Sequence, residues 1–243
     1  MLKNIKSNYI IKVVFKYVKK KRKLNIIKHN NTLKNILNIT KDDFEIYETL
    51  KEFNNKYSTN IDDIDIKELN LNGKNLGNEG LNDLTKFTFK GLNKLDLSYN
   101  KISDISILKK LDLKDLEKLY LDSNNISDIS PLNKLNFKKL KILFLSMNNI
   151  SDIEVLQDEK FNKIEILNLY DNKIKDINVF EKVYFKDIKQ LDLSSNKIKD
   201  INVFKKIKFK KLNILYLSGN RINKEKNSSI ISDLEFLVRE FYI

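Results

Sequence analysis

From Leu92 onward the apolar residues fall into one recurring frame, L-x-x-L-x-L-x-x-N-x-I, beginning at Leu92, Leu116, Leu140, Ile164, Ile188 and Leu212. Successive units start 24 residues apart. A period of this length belongs to a stack of supersecondary units, none of which can bury its apolar face alone. Within each unit the L-x-L segment predicts a strand whose leucines face inward while their neighbours face outward, and the strands of successive units are expected to pair in parallel. Asn100, Asn124, Asn148, Asn172, Asn196 and Asn220 stand where the chain turns away from the strand. An amide at that point can donate to and accept from the backbone of neighbouring turns, so these six read as a structural ladder.

Outside the regular units the periodicity changes to that of helices. Ile10, Val13, Val14, Tyr17 and Val18 form one helical stripe; Leu24, Ile27, Leu33, Ile36 and Leu37 continue it. Thr40 with Asp43 resembles a capping box before a helix whose apolar face is Phe44, Tyr47, Leu50 and Phe53. Three or four helices therefore precede the repeats. The first repeat, residues 66–91, is two residues longer than the rest and carries Lys74 where the others carry Asn. After Asn220 the frame dissolves, and Ile230, Ile231, Leu234, Leu237, Val238 and Phe241 predict a closing helix over the last repeat. The organisation expected is a basic helical region at 1–65, a repeat array at 66–228 and a cap helix at 229–243.

Two further columns repeat with the frame. Asp104, Asp128, Asp152, Asp176 and Asp200 each precede a short helical turn, where a carboxylate suits free N–H groups. One carboxylate per coil does not converge on an ion, so no metal is expected. Leu113, Phe137, Phe161, Phe185 and Phe209 form a packing spine.

The units resemble the leucine-rich repeat superfamily, and the N-x-I-S-D-I-S-P-L form closely resembles the intracellular class found in a protein-phosphatase regulatory subunit and in bacterial internalins. The resemblance spans about residues 66–228 and implies an α/β solenoid of about seven repeats, with a parallel sheet on the concave face that binds a partner, a small N-terminal helical domain and a C-terminal helical cap. Units of that class are somewhat shorter, so the K-x-x-F-K-K type segments here should enlarge the convex side.

Charge changes the picture only at the N-terminus. Residues 1–41 carry +12 of the net +13, leaving the rest of the chain close to neutral. A pI near 9.5 therefore does not make the whole chain a nucleic-acid binder. There is no Cys, which removes disulfides and thiolate sites and favours an intracellular location, cytoplasmic or nuclear. Lys12 and Lys16 interrupt the only candidate signal segment, and no stretch is apolar enough to span a membrane.

The N-terminal segment also looks like an F-box. Its apolar pair Ile10 and Ile11, the run Val14, Phe15, Tyr17 and Val18, and Leu24 imply contact with a Skp-type adaptor of a ubiquitin ligase, in which the repeats would act as substrate receptor. A plain helical cap is the other reading of the same residues, and it is favoured by Ser7 and Asn8 near the place of the usual early Pro and by Lys23 in place of the aspartate before the leucine.

Outward strand positions define the candidate site. Tyr120, Ile142, Phe144, Met147, Ile166 and Tyr170 make an apolar, aromatic centre, rimmed by Asp96, Asp122, Asp171 and Asp192. That composition predicts a protein partner and favours one bearing Lys or Arg. Tyr120, Phe144 and Tyr170 read equally as rings that merely pack on one another. The alternative function is association with a ribosome or other RNA particle through the Lys-rich N-terminus and convex lysines such as Lys205, Lys206, Lys208, Lys210 and Lys211. Membrane contact is not favoured. His29 is the sole histidine, no Gly-rich phosphate loop occurs, and neither an enzyme nor a cofactor is expected.

Overall fold

The structure is a computed structural model and describes residues 11, 12, 15, 24, 26–183, 185–207 and 210–243. The chain divides into two compact units, Met1–Asp65 and Ile66–Ile243.

In the first unit, α1 (Asn31–Leu37) begins where the Asn30 side chain accepts the Leu33 N–H at 3.0 Å. Helix α2 (Lys41–Tyr57) has a complete capping box: Thr40 Oγ1 accepts the Asp43 N–H, and the Asp43 carboxylate accepts the Thr40 N–H at 2.9 Å. A cap of this kind contributes about 1 kcal/mol. Ile11, Phe15, Ile27 and Leu33 form a buried cluster against which Ile36, Leu37, Ile39 and Phe44 pack.

Burial extends to three of the residues expected to contact an adaptor. Ile11, Phe15 and Leu24 are only 3%, 2% and 2% exposed, so they are interior side chains with no surface to offer an adaptor. A unit this small has few apolar side chains, and burying them is what holds it together. Ile10, Val14 and Val18, and the basic run 19–23, lie outside the described residues.

The second unit is built on eight short parallel strands in sequential order: β1 (Glu68–Asn70), β2 (Lys94–Asp96), β3 (Lys118–Tyr120), β4 (Ile142–Phe144), β5 (Ile166–Asn168), β6 (Gln190–Asp192), β7 (Ile214–Tyr216) and β8 (Glu240–Tyr242). The register is set by the repeat, with Leu95 opposite Leu119, Leu119 opposite Leu143 and so on to Leu215. Each of these central leucines is fully buried, and each contributes about 1.5–3 kcal/mol on leaving water. Opposite the sheet the coils carry short 3₁₀ turns such as Ser130–Lys134 and Asn202–Lys205; the first repeat instead carries an α-helix, α3 (Gly77–Leu84). Strands pack more closely side by side than helical turns do, which makes the sheet side the inner, concave side of the stack.

The asparagine ladder stitches the coils. Asn148 Nδ2 donates to the carbonyls of Leu121, Leu145 and Ser146, while its Oδ1 accepts the Ile126 N–H at 3.0 Å. Asn172 and Asn196 repeat this pattern one and two coils on. Among the described residues no buried side-chain polar atom lacks a partner.

The C-terminal end departs from expectation. Helix α4 (Ser228–Leu237) buries Ile230 and Leu234 as anticipated, but Leu237 is 67% exposed and the helix stops there. Phe241 is not helical: it stands in β8 opposite Leu215. The reason lies in the open edge of β7, whose backbone groups need partners; the Leu217 N–H finds the Tyr242 carbonyl at 2.6 Å.

Candidate functional site

The strand positions on either side of each buried leucine point away from the core, so their side chains collect on the sheet face. At its centre Tyr120 and Phe144 meet edge to face, with ring centroids 5.1 Å apart and planes at 72°. Both are half-buried, as are Ile142 and Ile166 beside them. The centre is thus a packed apolar floor rather than a row of free aromatic side chains. Met147 and Tyr170, from the turn after the strand, are exposed.

Acidic groups border this floor. Asp96 Oδ1 accepts the Ser98 N–H at 3.0 Å, and Asp192 Oδ1 accepts the Ser194 N–H at 2.9 Å. Asp122 Oδ1 accepts both the N–H and the hydroxyl of Ser146, at 2.9 and 2.5 Å. Burial pushes the Asp122 carboxyl up despite these bonds, and Asp96 adds to the effect. The Tyr120 hydroxyl is raised by burial and then by the negative charge of Asp96, Asp122 and Glu68, and Tyr216 by burial and then mainly Glu240. Asp171 is exposed. Lys94 is engaged within the face, 3.9 Å from Glu68 and 5.6 Å above the Tyr120 ring. The face therefore carries a negative potential around an apolar floor.

The sequence-based site left out Tyr99. It is 58% exposed and stands in the same turn column as Met147, with a positive φ of 59°. The signal was available, because Gly73 and Gly219 occupy that column in the first and last repeats.

Elsewhere the columns have structural work. Asp104, Asp128, Asp152, Asp176 and Asp200 each accept the N–H two residues on, at 2.7–2.8 Å, at the start of the 3₁₀ turns. Those hydrogen bonds from Ser106 hold the Asp104 carboxyl below its usual range. Among the described residues no group of three or more His, Cys, Asp or Glu could hold a metal ion. Phe137 and Phe161 pack 6.4 Å apart in the interior, with Leu113 and Phe185 buried in the same column; Phe209 lies outside the described residues. Of the lysines proposed for RNA, Lys206 pairs with Glu181 at 2.8 Å and Lys211 with Asp187 at 2.6 Å, which neutralises part of that patch. Lys208 lies outside the described residues. No helix among the described residues is long and apolar enough to cross a membrane.

Residues 90–134 and 138–182 match the family described as leucine rich repeats (2 copies). The array is a leucine-rich repeat solenoid. No curated protein matches the chain in sequence. Among solved structures, an internalin (InlF) from Listeria monocytogenes is 23% identical over 72% of this chain and 59% of its own, with a TM-score of 0.49. A leucine-rich repeat protein from Leptospira interrogans is 23% identical over 58% of this chain and 40% of its own, with a TM-score of 0.45. Internalin C2 from Listeria monocytogenes is 22% identical over 71% of this chain and 90% of its own, with a TM-score of 0.40. The chain thus spans less than two thirds of the length of the first two. Leucine-rich repeat solenoids in general are interaction scaffolds that bind protein through the extended sheet face.

Proposed function

We propose that this chain is a non-enzymatic adaptor that binds a protein partner on the concave sheet face of its leucine-rich repeats. The observation that carries this reading is the half-buried floor of Tyr120 and Phe144, flanked by exposed Met147 and Tyr170 and rimmed by carboxylates. An apolar centre inside a polar rim is the arrangement in which a few residues supply most of a binding free energy. The absence of Cys supports an intracellular place of action. The burial of Ile11, Phe15 and Leu24 weighs against recruitment of a Skp-type adaptor by the N-terminal unit.

The test is purification of tagged full-length protein from its native cell at low and high salt, with the variant Tyr120→Ala/Phe144→Ala/Tyr170→Ala alongside. A salt-resistant protein that co-purifies with the wild type and is lost in the variant supports the reading. Capture that is unchanged in the variant removes the sheet face. RNA-rich particles that dissociate at high salt would replace the reading with ribonucleoprotein association, since phosphate contacts weaken steeply with salt.

A further inference from the structure

The turn column next to the sheet face contains a choice between cheap and costly backbone. Gly73 and Gly219 occupy it at the two ends with φ of 66° and 71°; between them stand Tyr99, Ser123, Met147, Asp171 and Ser195 with φ of 59°, 52°, 53°, 50° and 54°. An L side chain in this region costs about 1–2 kcal/mol and glycine almost nothing. The conformation itself is required, because each residue of the column from Gly73 to Ser195 donates its N–H to a carbonyl of the next coil: Tyr99 to Asp122, Met147 to Tyr170. Glycine would therefore suit every position. Tyr99 and Met147 are kept against that cost, yet at 58% and 45% exposure neither recovers it by burial. With Tyr170 they are the exposed apolar side chains along the edge of the floor, a lip in which Ser123 stands between Tyr99 and Met147 with its hydroxyl 3.4 Å from Met147 Sδ.

A second cost lies on the same face. Ser98 donates its N–H to Asp96 at 3.0 Å and its hydroxyl to Asp122 at 3.5 Å, so the two carboxylates flank one serine. Among the described residues no Lys or Arg forms an ion pair with Asp96, Asp122, Asp171 or Asp192, although pairs abound between neighbouring coils elsewhere. Like charges side by side, one of them partly desolvated, raise the free energy of the unbound protein; a cation placed between them relieves it. Backbone strain and carboxylates without a cationic partner, held on one face, suit a surface completed by a partner.

We propose that the occupant of this face is a basic protein segment, which sets a Lys or Arg side chain against Asp96 and Asp122 and lays apolar side chains along the lip of Tyr99, Met147 and Tyr170. This rests on the reading of the sheet face as a protein-binding surface and assigns the chemistry of what binds there.

A library of random linear peptides displayed on phage and selected on the full-length protein tests it. Variants Tyr99→Gly and Met147→Gly remove the lip side chains while relieving the backbone, so lost binding cannot be put down to lost folding. The selected peptides should pair Lys or Arg with aromatic or aliphatic residues. Each glycine variant should weaken them about tenfold or more while leaving the melting temperature unchanged or raised. Asp96→Asn/Asp122→Asn should abolish the preference for basic residues. Acidic or uncharged selected peptides would overturn the assigned chemistry. Peptides lost in Tyr120→Ala but untouched by Tyr99→Gly and Met147→Gly would overturn the lip and keep the sheet face. Peptides indifferent to all these variants, or none retained, would overturn both readings.

Discussion

Asn148 Nδ2 donates a 2.9 Å hydrogen bond to the carbonyl oxygen of Leu121, a residue 27 positions earlier in the chain and one coil away. The same amide holds two carbonyls of its own turn and accepts the Ile126 N–H. One side chain thus satisfies four buried backbone groups that no strand reaches. Replacing it with Ala leaves the Ile126 N–H without a partner in a dry interior and takes one of two amide donors from the Leu121 and Leu145 carbonyls, which keep Asn124 and Asn172, while the Ser146 carbonyl keeps the Ser123 N–H at 2.9 Å. Asn148→Ala is expected to destabilise the array by about 3 kcal/mol or more, read as a lowered urea midpoint; a loss under about 1 kcal/mol would mean that water replaces the amide.

The glycine at the end of the turn column makes a sharper pair of predictions. A Cβ at Gly219 would sit 3.0 Å from Ser195 Oγ and 3.2 Å from the Ser195 backbone, in addition to its φ of 71°. Gly219→Ala should cost about 1–2 kcal/mol, whereas Ser195→Gly should gain up to about 1 kcal/mol by releasing its own left-handed backbone. In the double variant Ser195 Oγ is gone, so the two effects should not add. Strict additivity in thermal melts would show that the hydroxyl contact is immaterial.

Asp122 makes stability depend on pH. Burial raises its carboxyl above the ordinary 3.8. A raised folded value means that the native protein holds a proton which the unfolded chain gives up, so this residue favours folding below 3.8 and that contribution is lost as pH rises through the folded value. Asn in its place can still accept the Ser146 N–H and carries no charge. Asp122→Asn is therefore expected to be more stable than wild type at about pH 7 and to lose that advantage as pH falls below about 4. Urea melts across this range check it; an advantage that does not change with pH would assign the effect to shape instead of charge.

The charged rungs between coils should matter much less. Glu117 and Lys141 pair at 3.1 Å across one joint and Glu165 with Lys189 at 2.6 Å across another, with all four side chains substantially exposed. Exposed pairs contribute little because water screens both partners. Lys141→Ala should shift stability by no more than about 0.5 kcal/mol, and a loss several times larger in a denaturant melt would reveal a coupled network.

Much of this molecule was legible because its sequence says the same thing many times. The inward leucines, the amide ladder, the aspartates that open the 3₁₀ turns and the two extra residues of the first repeat all follow from the 24-residue frame. What escaped lies where the frame ends or where backbone decides. Phe241 has apolar neighbours at helical spacing, yet the unpaired edge of β7 draws it into a strand. For Ile11, Phe15 and Leu24 the sequence shows an apolar pattern only, and their burial is read from the structure. Tyr99 was legible as an outward position of the 24-residue frame, but its left-handed backbone and its exposure are written only in the structure.

The uniform register has a consequence for how such a chain can change. Every joint between β2 and β7 matches residues 24 apart, and each amide bridge spans one joint only. Excision of residues 142–165 would bring Lys141 directly before Ile166 and rebuild an identical seam, with Leu119 now facing Leu167. Length is thus a coordinate along which this protein can be lengthened or shortened by unequal crossing-over, trading one strip of recognition surface for another without inventing a new fold.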